Sequence, residues 1–261
     1  MVYVLGIDIG SASSKAAILN YENKIIALKV AVGGAGTTGP DKVLQEVFTA
    51  TGLSWADISR TVATGYGRMG FKNADRQISE ITCHAVGVHY LLPSVRTIID
   101  IGGQDVKAMS ISPDGMVTKF VMNDKCAAGT GRFLEVMARV LETDVSKLSE
   151  LSEQADSIVD ISNTCTVFAE SEVISRLASE VKPKNVAAGI HRSVARRVAS
   201  LAMRVGVNPD VVLTGGVAQN QGIVQALSDE LKNPVIVSPN CQVTGAIGAA
   251  LIAYKELISP H

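Results

Sequence analysis

A chain of 261 residues, 47% of them hydrophobic, is long enough for one large α/β unit or two domains. Its formal net charge of −1 gives no support for a nucleic-acid or membrane partner. The first ten residues lack the features of a secretion signal and turn polar too soon for a membrane span, so we expect a cytoplasmic protein. In that compartment the cysteines are expected to be free thiols or metal ligands: Cys83, Cys126, Cys165 and Cys241.

An apolar strand that ends in an aspartate and a glycine turn opens the chain. Tyr3 to Ile9 is predicted as this strand, and Ala16 to Leu19 and Lys24 to Val32 as the strands that follow it. The pattern returns 92 positions later, where Asp100 takes the place of Asp8 and the following hairpin is predicted at Val106 to Ile111 and Met116 to Met122. The repeat predicts an internal duplication. Two such carboxylates can hold a hydrated Mg²⁺ ion while glycine N–H groups donate to phosphate oxygens.

A third glycine element lies between Asp210 and Asn220. It reads as a buried strand, a Gly215-Gly216 turn and then a helix to about Leu231, which lets the backbone approach a flat ligand. In this order the three elements resemble the phosphate-1, phosphate-2 and adenosine motifs of the actin, Hsp70 and sugar-kinase ATPases. The resemblance implies an α/β, duplicated ribonuclease H-like (actin-like) fold with two lobes around a nucleotide cleft. We expect one lobe at 1–94 plus 243–261 and the other at 95–242.

Two further glycine runs, Gly34 to Gly39 and Gly65 to Gly70, match the Gly-x-Gly-x-x-Gly pattern of dinucleotide sites. Neither has an acid at a following strand end, so we expect surface loops there instead. The basic run from His191 to Arg197 is interpreted as a solvated helix face. Helical spacing predicts the remaining helices at 41–50, 77–92, 185–205 and 243–257.

Two cysteines stand in polar, turn-rich segments. Cys126 precedes a glycine turn and an apolar-periodic segment, and Cys165 is flanked by two candidate helix caps, Thr164 and Thr166. Both are predicted to start helices, where the helix dipole favours a thiolate. Their 39-residue separation is not a single-chain metal motif, but a symmetric dimer would assemble four thiols for a [4Fe–4S] cluster or a structural zinc. Residue type alone also allows two buried cysteines.

Four segments carry a more specific resemblance. They are Asn123-Asp-Lys-Cys-Ala-Ala-Gly-Thr-Gly-Arg-Phe, Thr164-Cys-Thr-Val-Phe-Ala-Glu-Ser-Glu, Ile101-Gly-Gly-Gln-Asp-Val-Lys and Gly215-Gly-Val-Ala-Gln-Asn. Together they resemble the activator (component A) of 2-hydroxyacyl-CoA dehydratases, within the BadF/BadG/BcrA/BcrD-type ATPases, over essentially the full chain. The resemblance implies a homodimer with one bridging [4Fe–4S] cluster, held by Cys126 and Cys165 of each subunit.

The resemblance also implies a reaction, ATP-driven electron transfer from reduced ferredoxin or flavodoxin to a dehydratase. Asp8 and Asp100 would hold Mg²⁺ through water, and Gln104 is our candidate for positioning the attacking water. The expected contacts to ATP or ADP are Ser11, Ala12, Ser13, Ser14, Lys15, Gly102, Gly103, Gln104, Gly215, Gly216, Gln219 and Gln242.

Two rival functions fit the same fold. A small-metabolite kinase would use Asp105 as its base, but it leaves the paired cysteines unexplained and needs a sugar-binding insertion that 261 residues hardly accommodate. A non-redox ATPase switch with a structural zinc would use the same four thiols. The sequence does not name the acyl-CoA or the electron donor.

Overall fold

A computed structural model describes residues 2–162 and 165–258, which form ten strands and eight α-helices. The strands are β1 (Tyr3–Ile9), β2 (Ser13–Asn20), β3 (Ile25–Val32), β4 (Ile58–Thr64), β5 (Arg76–Gln77), β6 (Thr97–Ile101), β7 (Val106–Ile111), β8 (Val117–Asn123), β9 (Val211–Thr214) and β10 (Val235–Val237). The helices are α1 (Gly39–Thr51), α2 (Glu80–Leu91), α3 (Gly131–Val140), α4 (Leu148–Glu153), α5 (Thr166–Ala178), α6 (Pro183–Met203), α7 (Gln221–Leu231) and α8 (Thr244–Ile258).

The chain divides into two compact units. Unit 1 contains Met1–Val95, Ile111–Thr118 and Ser238–His261, and unit 2 contains Arg96–Ser110 and Lys119–Val237. None of the helices described is long and apolar enough to cross a membrane.

Two five-stranded sheets have the same topology. Their strand orders are β3-β2-β1-β4-β5 and β8-β7-β6-β9-β10. In each sheet the first strand pairs antiparallel with the next strand and parallel with a later one, β1 with β4 and β6 with β9. The predicted duplicated α/β fold is therefore confirmed.

Unit 1 is a three-layer arrangement with its sheet in the middle. Strand β1 is buried on both faces, as expected of a central strand that helices cover on either side. Val4 lies in the cluster formed with α2 and α8, whereas Leu5 and Ile7 lie in the cluster formed with α1. Helix α8 packs so closely on β1 that any side chain at Gly6 would collide with the α8 backbone.

Unit 2 is built around the long helix α6. Proline stands at its first position, Pro183, where no N–H donor is needed. The helix buries His191, whose Nδ1 lies 2.9 Å from the Ser152 hydroxyl oxygen, and burial lowers the pKa of His191 to about 4. The imidazole is therefore neutral at pH 7. The prediction that this basic run is simply a solvated face is wrong at His191.

The predicted helices occur within a few residues of their expected bounds. Among the four helices predicted from helical spacing alone, the largest difference is at α2, predicted from residue 77 but beginning at Glu80. Arg76 and Gln77 instead pair with β4 as the edge strand β5. Tertiary pairing decides this boundary over local helix propensity.

Candidate functional site

The first repeat buries a carboxylate at the end of β1. Asp8 is 4% exposed and pairs in register with Lys15 on β2, whose Nζ lies 3.5 Å from Asp8 Oδ2. The intervening turn is closed by a hydrogen bond from Gly10 N to Ser13 O, 3.0 Å long. Helix α8 begins beside the carboxylate, since a side chain at Gly245 would lie 3.1 Å from Asp8 Oδ2. The positive end of the α8 dipole and Lys15 therefore both lie beside this carboxylate.

The second repeat reproduces this arrangement at Asp100. Lys107, 92 positions after Lys15, pairs in register with Asp100, and its Nζ lies 3.2 Å from Asp100 Oδ2 and 2.8 Å from Asp105 Oδ2. Gly102 N donates to Asp105 O over 2.9 Å, which closes the equivalent turn. Thr214 Oγ1 donates to Asp100 Oδ1 over 2.7 Å. Lys107 was not among the predicted site residues, although the repeat spacing that relates Asp8 to Asp100 also relates Lys15 to Lys107.

Equivalent glycines follow the neighbouring strand in both repeats. Gly65 follows β4 with φ +86°, and Gly215 follows β9 with φ +89°, a region that favours glycine. A side chain at either position would also collide with the adjacent aspartate or the backbone carbonyl that follows it. The expectation of a surface loop is therefore wrong at Gly65, which is buried and is the counterpart of Gly215. The sequence did not indicate that the two glycines are equivalent, because the residues after them differ.

The other predicted nucleotide contacts lie around these two turns. Unit 1 holds Ser11 to Lys15, in the turn after β1 and at the start of β2, and Gln242 two residues before α8. The Ser14 hydroxyl donates to Gly33 O over 2.9 Å, so it is already committed within unit 1. Unit 2 holds Gly102, Gly103, Gln104, Gly215, Gly216 and Gln219. Gln104 and Gln219 are exposed.

The two candidate metal-binding cysteines both lie in unit 2. Cys165 is exposed and stands at the start of α5, as predicted. It occupies the N-cap itself, so the expectation of Thr166 as a cap is wrong, and Thr164 lies outside the described residues. Cys126 does not start a helix, because α3 begins five residues later at Gly131. The Thr130 hydroxyl donates to Ala127 O over 2.6 Å and closes a turn that delays the helix. Helices α3 and α5 nevertheless pack against each other.

The remaining thiols are buried. Burial raises the pKa of the Cys83 thiol to about 12, which disfavours metal binding. Cys241 is buried as well. Across 2–162 and 165–258, no cluster of three or more His, Cys, Asp or Glu side chains could hold a metal ion within one chain.

The glycine turn of the second repeat is bonded directly to helix α3. Gly131 N donates to Gly102 O over 2.9 Å, and Arg132 N donates to Gly103 O over 2.8 Å. A side chain at Gly131 would also lie 3.5 Å from Val217, in the turn after Gly216. Both glycine turns of unit 2 therefore meet the first turn of the helix that follows the Cys126 loop.

The sequence of this chain is similar to a known protein family and to known members of it. The sequence profile of the BadF/BadG/BcrA/BcrD ATPase family matches residues 5–253. The chain belongs to the BadF/BadG/BcrA/BcrD ATPase family. It is 58% identical over 254 residues to the activator of lactoyl-CoA dehydratase from Anaerotignum propionicum, covering 97% of this chain and 98% of that protein.

Two solved structures resemble this BadF/BadG/BcrA/BcrD ATPase closely. The 2-hydroxyisocaproyl-CoA dehydratase activator from Clostridium difficile, with bound ADPNP, has a TM-score of 0.94 and 53% identity, covering 97% of this chain and 95% of that one. Component A of (R)-2-hydroxyglutaryl-CoA dehydratase from Acidaminococcus fermentans has a TM-score of 0.95 and 51% identity, covering 99% and 100%. The resemblance predicted from the sequence motifs is confirmed.

The buried ion pair of the second repeat gives a stability prediction for this family member. Lys107→Met should lower the free energy of unfolding by about 3 kcal/mol or more, because it leaves Asp100 buried without its cation. Lys15→Met should cost less, about 1 kcal/mol, because Lys15 is 16% exposed and lies farther from its carboxylate. Urea unfolding measures both changes.

A double variant separates lost charge compensation from lost packing. Combining Asp100→Asn with Lys107→Met should recover at least about 1 kcal/mol relative to Lys107→Met alone, since the deeply buried charge of Asp100 is removed and only the more exposed Asp105 loses its lysine. A double variant that is as unstable as the sum of the two single variants would contradict the coupling.

Proposed function

We propose that this protein activates a 2-hydroxyacyl-CoA dehydratase in the cytoplasm by ATP-driven transfer of one electron. A reduced ferredoxin or flavodoxin loses one electron, the dehydratase gains it, and ATP and water become ADP and phosphate. A [4Fe–4S] cluster shared by two copies of the chain supplies the one-electron chemistry. Three relatives support the partner, because each is an activator or component A of such a dehydratase.

The thiols of one chain fit half of a [4Fe–4S] site. Such a cluster is held by four thiolates, and each chain contributes Cys126 and Cys165 to the proposal. Cys165 is exposed and Cys126 is partly exposed, so both are accessible to a second chain. A symmetric dimer would bring the four thiols together across its axis. Zinc accepts the same donors, which makes metal analysis the deciding test.

We assign MgATP to the residues of the two repeats. Asp8 and Asp100 would hold Mg²⁺ through its water ligands, in keeping with the preference of this ion for carboxylates and water. The segment from Ser11 to Lys15 would hold phosphate oxygens, together with the Gly102-Gly103 turn, in which the Gly103 N–H is the proposed donor because the Gly102 N–H is bonded to Asp105 O. Gln104, exposed in its turn, would position the attacking water. The remaining nucleotide contacts in the proposal are Gly215, Gly216, Gln219 and Gln242.

One observation supports the proposed coupling of ATP to electron transfer. The Gly102-Gly103 turn, assigned to phosphate, accepts two backbone hydrogen bonds from the first turn of α3. The loop with Cys126 leads directly into that helix, so a shift of the turn on phosphate binding would be passed to a cluster ligand. A displacement of a packed helix is an established way for a bound nucleotide to switch a protein.

The kinase alternative is less well supported. It requires Asp105 as a base, but Lys107 Nζ lies 2.8 Å from that carboxylate and holds it in an ion pair. It also assigns no role to Cys165, a thiol exposed at the start of a helix.

Iron analysis tests the proposal directly. Protein purified without oxygen should be a brown homodimer with about four irons per dimer, because two thiols per chain complete a four-thiolate site. Cys126→Ala and Cys165→Ala should each lose the iron, whereas Cys83→Ala should keep it because that thiol is buried and uncharged at neutral pH. Stoichiometric zinc, or a colourless monomer, would contradict the proposal.

The repeated aspartates have a separate kinetic test. Asp8→Asn or Asp100→Asn should slow Mg²⁺-dependent ATP hydrolysis at least about tenfold, roughly 1.4 kcal/mol of transition-state stabilisation, because each removes a charge that holds the ion. Asp41→Asn, on the exposed first turn of α1, is the matched control and should hydrolyse ATP normally. Iron content should stay near that of the wild type. Unchanged hydrolysis in both site variants would disprove the assignment.

A further inference from the structure

Helix α6 carries three closely spaced arginines, two of which are neutralised by carboxylates. Arg192 Nη2 lies 3.0 Å from Asp160 Oδ1, and Arg196 Nη1 lies 2.9 Å from the same atom. Arg196 also reaches Glu230, with 3.2 Å between Nε and Oε1. These pairs account for the charge of the first two arginines.

The third arginine, Arg197, has a different partner. Its Nη2 lies 3.4 Å from the sulfur of Cys126, a contact that spans 71 residues of sequence. Among the residues described, no carboxylate lies within ion-pair distance of Arg197. Its positive charge is therefore directed at a thiol.

The loop that carries Cys126 is shaped around this arginine. Gly129 has φ +88°, and a side chain there would lie 3.3 Å from Arg197 Cδ. On the other side, Asn123 Nδ2 donates to Cys126 O over 3.3 Å. The cysteine is thus fixed by its backbone carbonyl and by its sulfur. Arg197 also borders a cavity of about 690 Å³, which leaves room for a replaced side chain.

We propose that Arg197 is a positioning residue that holds Cys126 and makes the metal site of the thiols easier to reduce. The inference rests on the proposed function. When the sulfur binds a metal it carries negative charge, and a hydrogen bond from a cation to such a group is strong. Reduction adds another negative charge, so a nearby guanidinium stabilises the reduced form more than the oxidised form. Arg197 would thereby help the site accept an electron from its donor.

A redox titration tests the inference in the iron-containing dimer. At a fixed solution potential, Arg197→Met should lower the ratio of reduced to oxidised cluster at least about tenfold, which is about 59 mV for one electron. Arg197→Lys keeps the charge and should change the ratio less than about threefold. Arg196→Met is the matched control, because it removes one arginine charge from the same helix and cavity without touching the thiol. Electron paramagnetic resonance measures the reduced fraction.

A titration of metal-free protein with Co²⁺ gives a second readout that needs no iron. Arg197→Met should weaken the binding of Co²⁺ to the thiolates about tenfold relative to Arg196→Met. The sulfur-to-metal absorption bands measure this binding. If Arg197→Met does not fold, Arg197→Gln takes its place with the same expectations.

The outcomes separate the inference from the proposed function. Equal cluster potentials and equal Co²⁺ affinities in the Arg197 and Arg196 variants would overturn the role of Arg197 while leaving the cluster in place. A wild-type protein that carries no iron would overturn the proposed function, and the Co²⁺ titration would then decide the role of Arg197 by itself.

Discussion

The buried pair of a strand-end carboxylate and a lysine is the interaction on which both halves of this molecule depend. Asp8 and Asp100 are almost completely buried, and a buried charge is costly unless a partner compensates it. The antiparallel strand that follows each aspartate supplies that partner, Lys15 or Lys107, across a glycine turn. Charge compensation thus fixes the register of both hairpins and, with it, the position of both glycine turns. In the proposed function, the same groups would exchange one ionic partner for another when Mg²⁺ binds.

The second glycine turn differs from the first in what it contacts. It is hydrogen-bonded to the start of α3, and the loop before α3 carries Cys126. The cysteine is in turn held by Arg197 on α6. A chain of contacts therefore runs from the turn assigned to phosphate, through two backbone hydrogen bonds and the loop before α3, to the sulfur assigned to the cluster, which Arg197 holds from α6. In the proposed function, this chain makes the redox behaviour of the thiols depend on the bound nucleotide.

The sequence predicted the parts of this arrangement that depend on local pattern. The repeat of strand, aspartate and glycine located both carboxylates, and strand propensity located both hairpins. The sequence did not predict the features that depend on contacts between distant residues. The repeat spacing could have predicted Lys107, but its role becomes clear only once its register with Asp100 is known. The delayed start of α3 depends on the conformation of Gly129 and Thr130. The contact between Arg197 and Cys126 joins residues 71 positions apart, and no local periodicity encodes it.

The most direct test of the account is whether the nucleotide alters the cluster environment. Iron extraction by a chelator, compared between nucleotide-free and ATP-bound dimers without oxygen, reports on the exposure of the cluster. We expect the rates to differ several-fold, equivalent to a coupling of about 1 kcal/mol or more, and we expect Asp100→Asn to reduce the difference. If the extraction rate, the reduction potential and the spectrum of the cluster are all the same with and without ATP, the protein does not use ATP to control the electron, and the central claim is wrong.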